Sequence, residues 1–210
     1  MQQSVARRLL SQRCLRSQGF DPLRLLLASR NQNKLRELRQ ALPEWEVELL
    51  ETPDEAVEHG ETFLDNARIK ARHGRVYSPE DAWVAGDDSG IEVVALGGRP
   101  GVESARWASD GVARLLSELA GMEDRRARYV CELVVVTPDG DEVTAKGMLA
   151  GEIAREARGH EGFGYDPIFV PDGQLSTVAE LGNAWKAEHS HRARAARALA
   201  SIISPRAEGC

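Results

Sequence analysis

A strand–turn–strand pattern in the second half of the chain constrains the fold more than any other feature. Residues 128–137 form the strongest strand pattern of the sequence, and residues 138–141 read PDGD, which is typical of a turn. Residues 142–149 then resume an extended pattern. Two strands joined by so short a turn run antiparallel, so this hairpin argues against a purely parallel sheet.

The rest of the chain alternates strand-like and helical patterns. Leu35, Leu38 and Leu42 recur at helical spacing, and Pro43 ends that helix. Strands are predicted over residues 23–28, 47–50 and 83–85, and helices over residues 63–75, 112–119 and 192–203. In the last helix, Ala195, Leu199 and Ile202 are predicted to face inward. The fold class expected is therefore a mixed α/β fold.

The charge balance excludes some classes of partner. The 210 residues contain 27 Lys and Arg against 33 Asp and Glu, a formal net charge of −6. This weakens any case for a nucleic-acid binder, which needs a basic face, but it allows a small phosphorylated ligand. No apolar run approaches the ~20 residues of a membrane helix. Three widely spaced cysteines make a disulfide framework or a structural zinc site improbable and favour a reducing compartment.

The N-terminus differs from the rest of the chain. Its first twenty residues contain four arginines and no acidic residue. A mitochondrial transit peptide has this composition, but a disordered tail or an upstream start codon explains it equally simply, and we expect a cytoplasmic protein. The predicted organisation is an extension over residues 1–21, one domain over residues 22–204 and a tail over residues 205–210.

A first polar cluster, Ser29-x-Asn31-x-x-Lys34, joins the first strand to the first helix. Free backbone N–H groups and the positive end of the helix dipole gather at such a junction and suit an anion such as phosphate. An ordinary helix cap followed by a solvated lysine is an equal alternative.

A second cluster, GDDSG over residues 86–90, follows the strand predicted over residues 83–85. Carboxylates at such a strand end are natural Mg²⁺ ligands and general bases, which makes Asp87 and Asp88 candidates for catalysis. An aspartate-rich turn is the alternative for this motif alone. Glu58 and Lys70, twelve residues apart, form a third cluster: Glu58 could complete a metal site with Asp88, and Lys70 could reach the phosphates; otherwise both are solvated charges.

Two further clusters could bind a nucleobase. In GFGYDP, residues 162–167, glycines allow the chain to present the Phe163 ring for stacking, and Asp166 can accept base N–H donors. An aromatic plug in the core is the alternative. Lys186, His191 and Arg192 offer donors to a purine oxygen or a phosphate, although a merely basic helix start would also fit.

In their order along the chain, these five clusters resemble the Ham1 inosine triphosphate pyrophosphatase family, from about Leu23 to Ile203. The resemblance implies an elongated mixed sheet flanked by helices, two lobes with a central cleft, and a homodimer. It also implies hydrolysis of dITP, ITP or XTP to the monophosphate and pyrophosphate with Mg²⁺.

The resemblance assigns roles by motif. It implies that Glu58 and Asp88 bind the metal, that Asp88 accepts the proton, and that Asp87 and Lys70 assist. Substrate-binding residues implied by the matching motifs are Ser29, Asn31, Lys34, Ser89, Phe163, Gly164, Tyr165, Asp166, Lys186, Ser190, His191 and Arg192. The sequence departs from the family pattern at Gly86 and Glu103, in a short segment between Ala108 and Leu115, and at residues 183–185.

Two other functions compete with this one. A pyrophosphatase of the Maf type, acting on pyrimidine or modified nucleotides, would share a related fold, but the segments FGYD and SHR argue against it. A catalytically silent nucleotide-binding protein would bind inosine triphosphate without releasing pyrophosphate. The acidic set of Glu58, Asp87 and Asp88 argues against that alternative.

Overall fold

The computed structural model describes residues 22–203, and a six-stranded mixed sheet forms its centre. The strands are Leu23–Leu27 (β1), Trp45–Leu49 (β2), Trp83–Val93 (β3), Arg126–Val136 (β4), Glu142–Ile153 (β5) and Phe169–Pro171 (β6). Their order across the sheet is β2-β1-β3-β4-β5-β6. β1 is parallel to β2 and β3, and the remaining pairs are antiparallel. The predicted hairpin, which is β4–β5, and the mixed α/β class are therefore confirmed.

The helices of this region are Gln32–Ala41 (α1), Phe63–Tyr77 (α2), Gly111–Glu118 (α3), Val178–His189 (α4) and His191–Ile203 (α5). Side-chain oxygens of Asn31, Thr62, Asp110 and Thr177 cap the first four by accepting backbone N–H bonds. α4 is kinked at Gly182, whose φ of 86° suits glycine. In α5, the predicted inward residues Ala195 and Leu199 are buried, and the partly covered Ile202 packs against the same core cluster as the buried Ile203.

Helices cover both faces of the sheet, as the alternation of side chains along β4 shows. Val134 and Val136 pack against α2, whereas Leu133 and Val135 belong to the core cluster that includes α5. A second core cluster, around Tyr129 and Phe169, lies further along the long strands. The polar centre of β3, residues 87–89, lies between the core cluster that includes α5 and this second cluster.

The strand predicted over residues 83–85 is much longer in the structure. β3 continues through the GDDSG motif to Val93, so the prediction that this motif ends a strand is wrong. β3 stays extended because its neighbouring strands differ along its length. Its pairing with β1 ends at Ala85, but its antiparallel pairing with β4 extends from Val84 to Val93 and keeps the chain extended.

The predictions made for residues 1–21 and 204–210 lie outside the described residues. Within residues 22–203, no helix is both long and apolar enough to cross a membrane.

Candidate active site

Asp87 and Asp88 point to opposite faces of the sheet because successive side chains of a strand alternate. Asp87 and Ser89 both contact Arg192, the second residue of α5, on one face. Asp88 contacts Lys70 of α2 on the other face. Beyond Ala85, where the pairing with β1 stops, the backbone carbonyl of Asp87 accepts hydrogen bonds from Lys34 and Lys70, at 3.1 and 3.2 Å. Within residues 22–203, no strand pairs with this edge of β3 beyond Ala85, so side chains from both faces of the sheet can reach its backbone.

Asp87 is a buried anion held by two cations. Its Oδ2 lies 2.7 Å from Arg192 Nε, and its Oδ1 lies 2.6 Å from Lys34 Nζ. Burial alone would raise the pKa of Asp87, but Arg192 and Lys34 together hold it well below its usual range. Asp87 therefore remains ionised and fixes the positions of two cations, and its own carboxylate lies outside the lining of the cleft.

Asp88 forms a different cluster with Lys70 and Glu58. Lys70 Nζ lies 2.8 Å from Asp88 Oδ1 and 2.9 Å from Glu58 Oε1. Burial raises the pKa of Asp88 despite the opposing charges of Lys70 and Lys34, and Glu58 adds to the increase. Burial would lower the pKa of Lys70, but Asp88 and Glu58 raise it, so Lys70 stays protonated. The pKa values of these two adjacent carboxyl groups are thus shifted in opposite directions, which makes Asp88 the candidate proton acceptor of the pair.

The predicted phosphate loop lines the same cleft. Asn31 caps α1, its side chain accepting bonds from the backbone of Asn33 and Lys34, and Ser29 Oγ accepts the N–H of Asn31. The helix cap of the alternative interpretation is therefore correct, but Lys34 is not a solvated lysine, because its side chain is only 13% exposed and pairs with Asp87. Ser29, Asn31 and Lys34 all line the cleft, where the start of α1 adds its dipole.

The predicted base-binding residues form a buried network around Lys186. Its Nζ lies 2.5 Å from Asp166 Oδ2 and 2.7 Å from Glu37 Oε1. Asp166 also accepts the backbone N–H of Phe163 at 2.8 Å and the hydroxyl of Tyr129 at 3.2 Å. Both oxygens of Asp166 thus already have partners, so this carboxylate positions Lys186 and the turn that carries Phe163.

Aromatic rings complete this end of the cleft. Lys186 Nζ lies 4.0 Å from the centre of the Phe163 ring, and the His191 imidazole stacks on Tyr129 with 4.6 Å between ring centres. Among residues 22–203, no group hydrogen-bonds to His191 Nδ1, although this nitrogen is buried. Burial, with further contributions from Arg192 and Lys186, lowers the pKa of His191 well below its usual value, so the ring is neutral. A neutral, unsatisfied imidazole nitrogen is a candidate ligand contact.

The remaining predicted residues support the cleft in different ways. Ser89 accepts a 2.6 Å bond from Arg192, and Ser190 caps the start of α5 by accepting the N–H of Ala193. Gly164 has a φ of 62° at the cleft wall, which favours glycine. Tyr165 is largely buried, and its hydroxyl donates a 3.0 Å bond to the carbonyl of Ser104. Ser190 and Tyr165 therefore hold backbone in place.

The cleft has a volume of about 520 Å³, within the range of small-molecule sites. It brings together most of the predicted site residues: Ser29, Asn31, Lys34, Glu58, Lys70, Asp88, Ser89, Phe163, Gly164, Tyr165, Asp166, Lys186, His191 and Arg192. The carboxylate cluster and the base-binding network are thus parts of one continuous cleft.

Sequence reasoning missed Glu37, Asn66 and Arg106. Glu37 is buried between Lys186 and Arg192, whose charges lower its pKa although burial alone would raise it. Its position three residues after Lys34 on an amphipathic helix could have indicated a shared face. Asn66 lies one helical turn before Lys70, and its amide approaches Asp88 Oδ2 at 3.4 Å. Arg106 lines the cleft beside Glu58.

The fold and this cleft define a class of protein, an α/β protein whose cleft combines a helix start, a carboxylate pair and a donor-rich pocket. The sequence profile of the Ham1 family matches residues 25–202, so the chain belongs to the Ham1 family. It is 42% identical over 191 residues to the dITP/XTP pyrophosphatase of Bdellovibrio bacteriovorus, covering 84% of this chain and 96% of that protein. The dITP/XTP pyrophosphatase of Gloeobacter violaceus is 46% identical over 186 residues, covering 86% and 94%.

Solved structures agree with this assignment. The Ham1 protein of Staphylococcus aureus superposes with a TM-score of 0.76 at 36% identity, covering 86% of this chain and 97% of that one. A HAM1 protein from Coxiella burnetii gives a TM-score of 0.76 at 35% identity, covering 88% and 100%. The predicted family and the predicted mixed sheet flanked by helices are confirmed, and the two lobes stay a prediction.

Proposed function

We propose that this protein hydrolyses non-standard purine nucleoside triphosphates, such as dITP, ITP and XTP, to the nucleoside monophosphate and pyrophosphate. One observation carries the proposal: the basic carboxylate of Asp88, with Lys70 and Glu58, shares a cleft with a pocket of hydrogen-bond donors around Lys186. Relatives that carry the name dITP/XTP pyrophosphatase support it.

The reaction follows from the roles of these side chains. The products require that the bond between the α-phosphorus and the oxygen bridging to the β-phosphorus breaks, while a water oxygen bonds to the α-phosphorus. Asp88 orients this water and takes its proton, which its raised pKa favours. Lys34 and Lys70 stabilise the charge that develops on the leaving pyrophosphate.

Divalent metal is part of the proposal, and the residues present fit it. Glu58 and Asp88 both contact Lys70 Nζ, so their carboxylates face the same point. Within residues 22–203 there is no group of three or more His, Cys, Asp or Glu side chains suited to hold a metal ion. Two carboxylates suit Mg²⁺, which usually takes one or two protein carboxylates and completes its shell with phosphate oxygens and water. When bound, the ion would neutralise phosphate charge, with Glu58 and Asp88 as its protein ligands.

The selection of the base depends on the hydrogen-bond donors of the pocket. Lys186 and Arg192 carry N–H donors and no acceptor, so they suit the 6-oxo group of a hypoxanthine or xanthine base. A 6-amino group would place donors against donors and leave buried groups unpaired, which costs binding free energy. In this proposal Phe163 provides the stacking surface and His191 Nδ1 provides a further polar contact.

A pyrophosphate-release assay tests the function. We expect release from dITP and XTP with Mg²⁺, loss of release when Mg²⁺ is chelated, and much slower release from dATP, dUTP and dTTP. Asp88→Asn should lower kcat by at least about 100-fold, since a positioned general base contributes that much or more. Glu92→Gln is the matched control, because Glu92 lies on the same strand, pairs with Arg128 and is absent from the cleft lining. Near-normal turnover by Asp88→Asn would refute the assignment of Asp88.

We further propose that the protein acts as a homodimer in the cytoplasm. The dimer rests on the resemblance to the family and the location on the few, widely spaced cysteines, and light scattering coupled to size-exclusion chromatography would test the dimer.

A further inference from the structure

Arg106 lines the cleft, and it has no role in the reaction proposed above. Its Nε and Nη2 lie 2.8 and 3.0 Å from the two carboxylate oxygens of Glu103, and its Nη1 lies 3.6 Å from Glu58 Oε2. Hydrogen bonds to Glu103 raise the pKa of Arg106, with smaller contributions from Glu58 and Asp88. Arg106 therefore lies at the carboxylate end of the cleft, on the side of Glu58.

The backbone beside Arg106 is firmly held. Ser104 Oγ accepts the N–H of Ile91 at 2.9 Å and donates to the carbonyl of Gly101, while Tyr165 donates to the carbonyl of Ser104. These hydrogen bonds fix Ser104, two residues before Arg106, relative to β3. Only its side chain, 45% exposed, has room to change partners.

Arg106 differs from the buried cations of the cleft in the kind of partner it has. Lys34, Lys70, Lys186 and Arg192 have side chains no more than 13% exposed, and each is paired with a carboxylate that is buried or part-buried. Removing such a cation from its partner leaves a buried charge uncompensated. Glu103 is 52% exposed, and an exposed ion pair is weak and exchanges at little cost. An incoming anion can therefore recruit Arg106 more easily than the buried cations.

We propose that Arg106 binds the terminal phosphates of the nucleotide, the part that leaves as pyrophosphate, and that Glu103 holds its guanidinium until the substrate arrives. This inference rests on the proposed function. A guanidinium binds a carboxylate and a phosphate through the same two-pronged geometry, so the exchange requires only a rotation of the side chain. The contact with Glu58 places the terminal phosphates beside the proposed metal-binding carboxylate.

Two substitutions should act in opposite directions. Arg106→Gln should raise the KM for dITP about tenfold and weaken the inhibition by inorganic pyrophosphate to a similar degree, because a charge-assisted hydrogen bond is lost. Glu103→Gln should lower the KM for dITP and strengthen the inhibition by pyrophosphate, since it removes a competing anion from Arg106. Affinity for dIMP, which lacks the terminal phosphates, should remain that of the wild type in both variants.

Arg99→Gln is the matched control. Arg99 belongs to the same loop region, is 58% exposed, pairs with Glu118 and is absent from the cleft lining, so this substitution should leave the KM and the pyrophosphate inhibition unchanged. Wild-type values for Arg106→Gln, or an equal loss of dIMP affinity, would overturn the role of Arg106. The role of Glu103 requires that Glu103→Gln bind pyrophosphate more tightly than the wild-type protein does, and weaker binding would overturn this role. Wild-type protein that releases no pyrophosphate from dITP would instead refute the proposed function itself.

Discussion

Arg192 Nε lies 2.7 Å from Asp87 Oδ2, and both side chains are almost completely buried. The same guanidinium also lies 2.5 Å from Glu37 Oε2 and donates to Ser89 Oγ. One arginine at the start of α5 thus joins the centre of β3 to α1. Two other cations of the cleft share its partners, since Lys34 also pairs with Asp87 and Lys186 also pairs with Glu37.

Replacing this arginine should therefore destabilise the fold. Arg192→Leu leaves Asp87 and Glu37 buried with less positive charge, and breaking a buried pair by removing one partner costs about 3–5 kcal/mol. Urea unfolding at pH 7 measures the loss. Arg197→Leu is the control on the same helix, because Arg197 is exposed and the change should stay within about 0.5 kcal/mol. Equal losses for the two variants would contradict the buried network.

His191 should make stability depend on pH. Burial holds its pKa well below the value of about 6.5 expected in the unfolded chain, so the unfolded state binds a proton first as the pH falls. The stability contributed by the neutral imidazole is complete above about pH 6.5 and is lost as the pH falls towards the folded pKa. The slope from this one proton approaches about 1.4 kcal/mol per pH unit.

Urea unfolding between pH 5 and pH 7 should detect this slope, and His191→Phe should reduce it. The phenyl ring keeps the stacking on Tyr129 but does not titrate. His189→Gln provides the comparison, because the His189 side chain is 46% exposed and stacks on Trp185 at the surface. If His191→Phe keeps the full wild-type slope, another group causes the pH dependence.

Gly147 fixes the distance between β5 and the start of α5. A Cβ atom at this position would lie 2.0 Å from the carbonyl oxygen of His191 and 2.4 Å from the amide nitrogen of Ala195. Gly147→Ala must therefore push α5 away from the sheet. Overpacking of this kind costs about 1–3 kcal/mol, and the displacement of His191 and Arg192 should also raise the KM for dITP.

Calorimetric unfolding and steady-state kinetics of Gly147→Ala would test this packing. Met148→Ala is the matched control, because Met148 is the next residue of β5 and its side chain is 43% exposed. We expect this control to change stability by less than about 0.5 kcal/mol and to leave the KM unchanged. A Gly147→Ala protein with wild-type stability and KM would contradict the close approach of α5.

Short-range patterns in the chain predict most of the local features of this protein correctly. The hairpin, the first two helices and the cap at Asn31 follow from rules that reach only a few residues along the chain. The order of the motifs identified the family, and with it most of the residues that line the cleft. The interpretation of residues 86–90 as a turn after a strand was also local, and it was wrong because β4 keeps β3 extended.

The pairing of the buried charges depends on contacts between distant parts of the chain. Asp87 and Arg192 are 105 residues apart in sequence, and Glu37 and Arg192 are 155 apart, so no local pattern relates them. Because β3 stays extended, its two aspartates face opposite sides of the sheet: Asp87 becomes a buried anchor and Asp88 the basic carboxylate. The pKa of each depends on burial and on the cations that the helices bring to it, which long-range packing determines.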